Sequence, residues 1–218
     1  MKDSFSHQAI NQDTDNAIST IVMLGDSLAV GIGATQPEHT PGGQLTTLLH
    51  QAHPIAVYCV GSRGAKISEV ARHQVPRVAA FTPQLAVVLV GANDVLNRTT
   101  KKSFRHSLRQ ILYTPALSDA LIVLFNLPNI ALVPAIPRSL KHLVKVRTDT
   151  FNHIFQEEAD SAPNVLLLDF FSLTTPILQA GSDLLDRDKF HPNDAGYLRM
   201  AQEIVALLHN ATAGQYNK

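Results

Sequence analysis

Ile21-Val22-Met23-Leu24-Gly25-Asp26-Ser27-Leu28 is the stretch on which the fold turns. Its four leading residues are apolar without polar alternation, and a strand that does not alternate is one buried on both faces, as in parallel sheets covered by helices. The run ends at Gly25, and Asp26 and Ser27 are residues with which a chain enters a helix. Four more runs of the same kind lie at 55–60, 85–90, 121–125 and 165–168. Helical spacing occupies the gaps, at 44–50, 67–81, 104–113 and 140–159, and returns at 193–208. There Asn193 is the expected N-cap, and Leu198, Ala201, Ile204, Val205 and Leu208 form the expected apolar stripe. Strand–helix alternation predicts an α/β domain, an open doubly wound parallel sheet of about five strands with helices on both faces.

A chain of 218 residues suits a single domain of this class. The expected boundaries are 20–210, with a flexible polar segment at 1–19 and a tail at 211–218. Eighteen Lys and Arg balance 18 Asp and Glu, so no overall field draws the chain to nucleic acid, and a small neutral or amphipathic substrate fits better. No apolar run reaches the roughly 20 residues of a bilayer span, so no integral membrane segment is expected. Residues 1–19 lack the apolar stretch of a secretory signal; the chain as given is expected in the cytoplasm unless a signal has been removed. Cys59 has no cysteine to pair with and is expected as a small buried hydrophobe in a strand. Lys101-Lys102 and the run from Lys141 to Lys145 are short basic groups expected as solvated faces.

In open α/β sheets ligands bind at the carboxyl ends of the strands. Motifs collect there. Gly25-Asp26-Ser27-Leu28 follows the first run, residues 61–64 (Gly-Ser-Arg-Gly) the second, and Gly91-Ala92-Asn93-Asp94 the third. The segment 126–137, with Pro128, Pro134 and Pro137, follows the fourth; it and the helix after it are expected to shape a substrate site. Ser27 reads either as a helix cap or as a nucleophile. A serine hydroxyl needs a base to take its proton, and a carboxylate to hold that base in one tautomer. Asp188-Lys189-Phe190-His191-Pro192 offers both, three residues apart, or else a plain turn with an exposed histidine. Acyl transfer also needs donors aimed at an oxyanion; the Asn93 amide and the N–H groups of the glycine-rich turn are candidates, although Asn and Gly are also what ordinary turns prefer.

Taken together, these four blocks resemble those of the SGNH, or GDSL-type, hydrolase family, over nearly the whole of the expected domain. The resemblance implies a flavodoxin-like sheet, Ser27 as nucleophile, His191 as base and Asp188 as its acid. It also implies an oxyanion hole made of the Ser27 N–H, the Gly64 N–H and the Asn93 side chain. The second block lacks the Asn that family members often place before its glycine. Gly64 and Gly61 both remain candidates, with Gly64 favoured because counting back five residues puts Cys59 where the Asn would stand. Arg63 is expected to face solvent, or else to assist an anionic substrate. The sequences around Ser27 and His191 look most like the lysophospholipase-like esterase branch. That implies hydrolysis of short-to-medium acyl esters, lysophospholipids among them, with removal of acetyl groups from carbohydrate as the alternative. A binding-only protein would typically have lost Ser, His or Asn.

Other chemistries lack their signatures. There is no G-x-S-x-G elbow of the α/β-hydrolases. The G-x-x-x-x-G-K-[ST] phosphate loop and the third glycine of a dinucleotide fingerprint are missing, so no nucleotide cofactor is implied. No paired histidines suggest a metal. The expected partner is a small-molecule ester or lipid, with no cofactor.

Overall fold

The computed structural model describes residues 18–49, 54–181 and 183–213. Most of the 1–19 segment, together with His50 and the end of the tail, lies outside them. In chain order the elements are β1 (Thr20–Gly25), α1 (Ser27–Val30), α2 (Pro41–Leu49), β2 (Ala56–Cys59) and α3 (Ile67–Glu69). A π turn (Val70–Gln74), α4 (Val75–Val78), β3 (Leu85–Leu89), α5 (Ala92–Leu96) and α6 (Lys101–Leu112) come next. The chain finishes with β4 (Leu121–Phe125), α7 (Lys141–Ser161), β5 (Val165–Leu168), α8 (Phe170–Gln179) and α9 (Asp194–Ala213).

The five strands form one parallel sheet in the order β2-β1-β3-β4-β5. This single-domain doubly wound sheet is the one expected. Alternate residues of the central strands serve opposite cores: Val22, Leu24, Ala86 and Val88 pack toward α6 and α7. Ile21, Met23, Leu85 and Val87 pack toward α2 and α9 on the other face. The order reverses between β1 and β3, which opens a crevice at their carboxyl ends.

Three expectations need correction. The runs at 55–60 and 165–168 are edge strands, so neither is covered on both faces: Val165, Leu166 and Leu167 are half-buried, Tyr58 is exposed and stacks on Phe81, and Cys59 is exposed rather than buried. In α9 the covered face is rotated, with Tyr197 and Met200 buried beside Ala201, Ile204 and Leu208, while Leu198 is exposed. That helix also runs to Ala213, so 211–213 are helical rather than tail. The 67–81 segment is helical only as far as Val78 and contains a π turn, a local widening often found at functional sites.

Candidate active site

Gly25 carries the chain out of β1 with φ +144°, and a Cβ there would lie 1.9 Å from the Leu89 carbonyl oxygen of β3. Only glycine allows this approach. Buried Gln74, from the π turn, grips the same glycine: its Oε1 accepts from Gly25 N and its Nε2 donates to Gly25 O, both at 2.8 Å. Asp26 caps α1, its carboxylate accepting from Leu28 N at 3.0 Å. The cap is therefore Asp26, which leaves the Ser27 hydroxyl free for another partner.

That partner is His191, whose Nε2 lies 2.9 Å from Ser27 Oγ. Its other ring nitrogen, Nδ1, lies 2.5 Å from Asp188 Oδ2. Asp188 belongs to a tight turn with Lys189 at φ +56°, a left-handed conformation uncommon for a non-glycine residue. Through this turn Asp188 Oδ1 also accepts from the N–H groups of Phe190 and His191, at 2.9 and 3.0 Å. Partial burial works to raise the Asp188 carboxyl, but the hydrogen bonds from the His191 ring and these two N–H groups outweigh it and hold the group below the usual carboxylate range. An ionised carboxylate can only accept, so Nδ1 carries the imidazole proton and Nε2 is left to accept from Ser27.

The N–H groups of Ser27 and Gly64 donate to nothing among the described residues. Gly64 has φ +78°, and a Cβ there would meet no atom within 4 Å. Gly61, by contrast, directs its N–H toward the Cys59 sulfur and packs against Ala29. The Asn93 amide makes two long contacts, 3.2 Å to Ala65 O and 3.3 Å to Asp26 Oδ2. Arg63 is exposed, as expected. Ser27, His191, Asp188 and Asn93 thus come together at the carboxyl ends of the strands, with Gly64 at the turn beyond β2.

Several residues support the site in ways that their place in the sequence does not show. Asp94 is fully buried and accepts from Ile67 N at 2.9 Å and Thr99 Oγ1 at 2.8 Å, tying the segment after Gly64 to the one after Asn93. Burial pushes its carboxyl up. Arg147 of α7 donates to the carbonyls of Asp94, Val95 and Asn97 at 2.7 Å and to that of Thr99 at 3.0 Å, so α7 clamps the turn that carries Asn93. Asp26 is the most perturbed carboxyl: burial, aided by the charge of Asp94, pushes it up to about 7 against the hydrogen bonds from Leu28 and Asn93.

A cavity opens beside Ser27, and its space, counting the open solvent at its mouth, is about 860 Å³. Leu28, Ile130, Val133, Phe170, Ile177 and Phe190 make much of its apolar wall. The 126–137 segment lines it as expected, through Pro128, Ile130 and Val133, but the helix that follows, α7, does not. The wall comes instead from α8, which the sequence reading missed. Its Phe- and Thr-rich start and internal Pro176 disguise a helix whose one readable signal is its cap, Asp169 accepting from Ser172 N at 3.2 Å. Among the described residues no group of acidic, His and Cys side chains could hold a metal, and no helix is long and apolar enough to cross a membrane.

The chain is similar to a GDSL-like esterase of Mycobacterium tuberculosis, with 23% identity over 197 residues that cover 88% of this chain and 62% of that relative. It therefore spans less than two thirds of the length of the curated relative it matches. Among solved structures, it shares its fold with a lipase/acylhydrolase from Enterococcus faecalis, at TM-score 0.70 and 20% identity over 87% of this chain and 94% of the other. It likewise shares it with a variant of the acetyl xylan esterase Axe2 from Geobacillus stearothermophilus, at TM-score 0.69 and 19% identity, with the same coverage of both chains. The model of the GDSL-like Lipase/Acylhydrolase family matches residues 23–199, from within β1 into α9, and the chain belongs to that family.

Proposed function

We propose that this chain is a serine hydrolase of carboxylic esters, acting through an acyl-enzyme on Ser27. The observation that carries the reading is the unbroken line from Ser27 Oγ through His191 to Asp188, at 2.9 and 2.5 Å. His191 Nε2 takes the Ser27 proton as Oγ attacks the ester carbonyl. The oxyanion is held by the N–H groups of Ser27 and Gly64 and by the Asn93 amide, whose long resting contacts to Ala65 O and Asp26 Oδ2, at 3.2 and 3.3 Å, are weak enough for an N–H to turn from one of them to the oxyanion. Collapse expels the alcohol with the proton from His191. Water then repeats the cycle and releases the acid.

The apolar cavity beside Ser27 supports acyl chains of short-to-medium length, as on simple esters or lysophospholipids in the manner of the lysophospholipase-like branch. An acetyl group would leave most of that wall without contact, which is why acetylated carbohydrate is the weaker substrate. Each CH₂ that stays inside contributes about 0.8 kcal/mol, roughly fourfold in kcat/KM. The test is a series of p-nitrophenyl esters of rising acyl length, with Ser27→Ala alongside. The expected result is kcat/KM that climbs from acetyl and then levels once the cavity is full, with no turnover in Ser27→Ala. Equal turnover in the two proteins would overturn the proposal.

A further inference from the structure

Nine of the chain's Lys and Arg residues lie between positions 98 and 147, against a single acid, Asp119. The neutral whole thus conceals a basic stretch of 50 residues. Arg105 and Arg109 are matched by Glu157 and Glu158, Lys145 by Asp149, and Arg147 is spent on carbonyls. Arg98, Lys101 and Lys102 are exposed and form no ion pair among the described residues. They sit on the turn after α5 and on the first turn of α6, the same stretch that Arg147 ties to α7 through the carbonyls of Asn97 and Thr99.

Large apolar side chains stand out of the surface beside these charges. Leu140, Leu143 and Val146 are 46%, 56% and 49% exposed, and their spacing of three places them along one flank of α7. Leu143 is four residues before Arg147, so this flank is the one turned toward α5. There Leu96, 44% exposed, follows Ala92 by one helical turn, and Ala92 lines the cavity beside Ser27. Exposed apolar residues with unpaired cations on the neighbouring α5–α6 turn, one helical turn from a residue that lines an apolar cavity, have the make-up of surfaces that lie on anionic lipid.

We propose that the flank formed by Leu96, Leu140, Leu143 and Val146, with Arg98, Lys101 and Lys102, docks the protein on an anionic lipid surface. Its purpose rests on the ester-hydrolase reading: docking brings the cavity mouth to where single-chain esters partition. The apolar side chains enter the headgroup boundary while the cations meet lipid phosphate. Attraction of this kind weakens as salt shortens the reach of the charges to about 10 Å or less.

The test is co-sedimentation of the full chain with vesicles of phosphatidylcholine alone and of phosphatidylcholine mixed with phosphatidylglycerol. Binding is expected on the mixed vesicles, weak on phosphatidylcholine, and reduced by salt. Lys101→Glu with Lys102→Glu should lower partitioning by at least about tenfold. Leu143→Ser with Val146→Ser should lower it comparably, while both variants keep wild-type turnover of a soluble p-nitrophenyl ester. Absence of vesicle binding, or binding that neither double variant weakens, overturns the proposal. So does self-association abolished by Leu143→Ser, since a second copy would then cover the flank. A wild type that hydrolyses the soluble ester but ignores vesicles refutes the surface alone; one that binds vesicles but leaves the ester intact refutes the hydrolase reading and supports the surface.

Discussion

His191 and His39 each present Nδ1 to an aspartate, 2.5 Å from Asp188 in one case and 2.9 Å from Asp194 in the other. Both aspartates are anchored by further hydrogen bonds that hold their carboxyls low. Those on Asp194 come mainly from the hydroxyl and N–H of Thr35, with His39 adding to them; Asp188 is held by its bonds to the His191 ring and to the turn it belongs to. The surroundings separate the pairs. The His191 side chain is 11% exposed and its Nε2 meets a serine hydroxyl beside an apolar cavity, whereas His39 is 37% exposed and joins the loop after α1 to the start of α9. A histidine–carboxylate pair is ordinary. Chemistry requires a third partner and donors opposite it, and it is beside His191 that the chain places a serine hydroxyl and the candidate donors Gly64 and Asn93.

The largest effect is expected where the pairs differ in consequence. Asp188→Asn should lower kcat by about 10⁴, because an amide cannot hold the imidazole in the tautomer that accepts from Ser27. Asp194→Asn makes the same chemical change in the surface pair and should leave kcat unchanged. Steady-state kinetics on one ester compares them directly, and equal losses would dissolve the distinction. Asn93→Ala removes one of the donors that His39 has no counterpart for; a loss of roughly 10²–10³ in kcat is expected, and an unchanged kcat would remove Asn93 from the oxyanion site.

A smaller effect concerns the carboxyl that adjoins only the buried site. Asp26 is held at about 7 in the fold against an ordinary 3.8. Its protonated form is therefore favoured by folding, and the stability it contributes is full below about pH 4 and is lost as pH rises through 7. Urea unfolding of wild type and Asp26→Asn from pH 4 to 8 should show the wild type losing ground to the variant by no more than about 4 kcal/mol. Parallel profiles would mean that Asp26 is ionised throughout, with the Leu28 and Asn93 hydrogen bonds prevailing over burial.

Much of this was legible in the sequence, and the misses have physical causes. The runs at 121–125 and 165–168 coincide with β4 and β5, because uninterrupted apolar stretches between helices have few other homes. The runs at 55–60 and 165–168 read like the others, yet β2 and β5 are the two edges of the sheet; strand order depends on which helix crosses which face, and composition does not carry it. Ser27, His191, Asp188 and Asn93 could be picked out because each stands at a chain turn where its residue type is chemically loaded. Gln74, Asp94 and Arg147 could not, since their work is on backbone groups that only the folded chain brings near. The helix α8, hidden by Pro176 and its β-branched threonines, shows the same limit: its face toward the cavity has no local signature.

Activation of Ser27 by His191 is tested by the site and rate of the serine's reaction with a fluorophosphonate, followed by intact mass and peptide mapping. One adduct per chain is expected, on Ser27, absent in Ser27→Ala and formed far more slowly in Asp188→Asn. An ester-hydrolysing wild type whose adduct sits on any other residue, or that labels equally fast without Asp188, would contradict that activation.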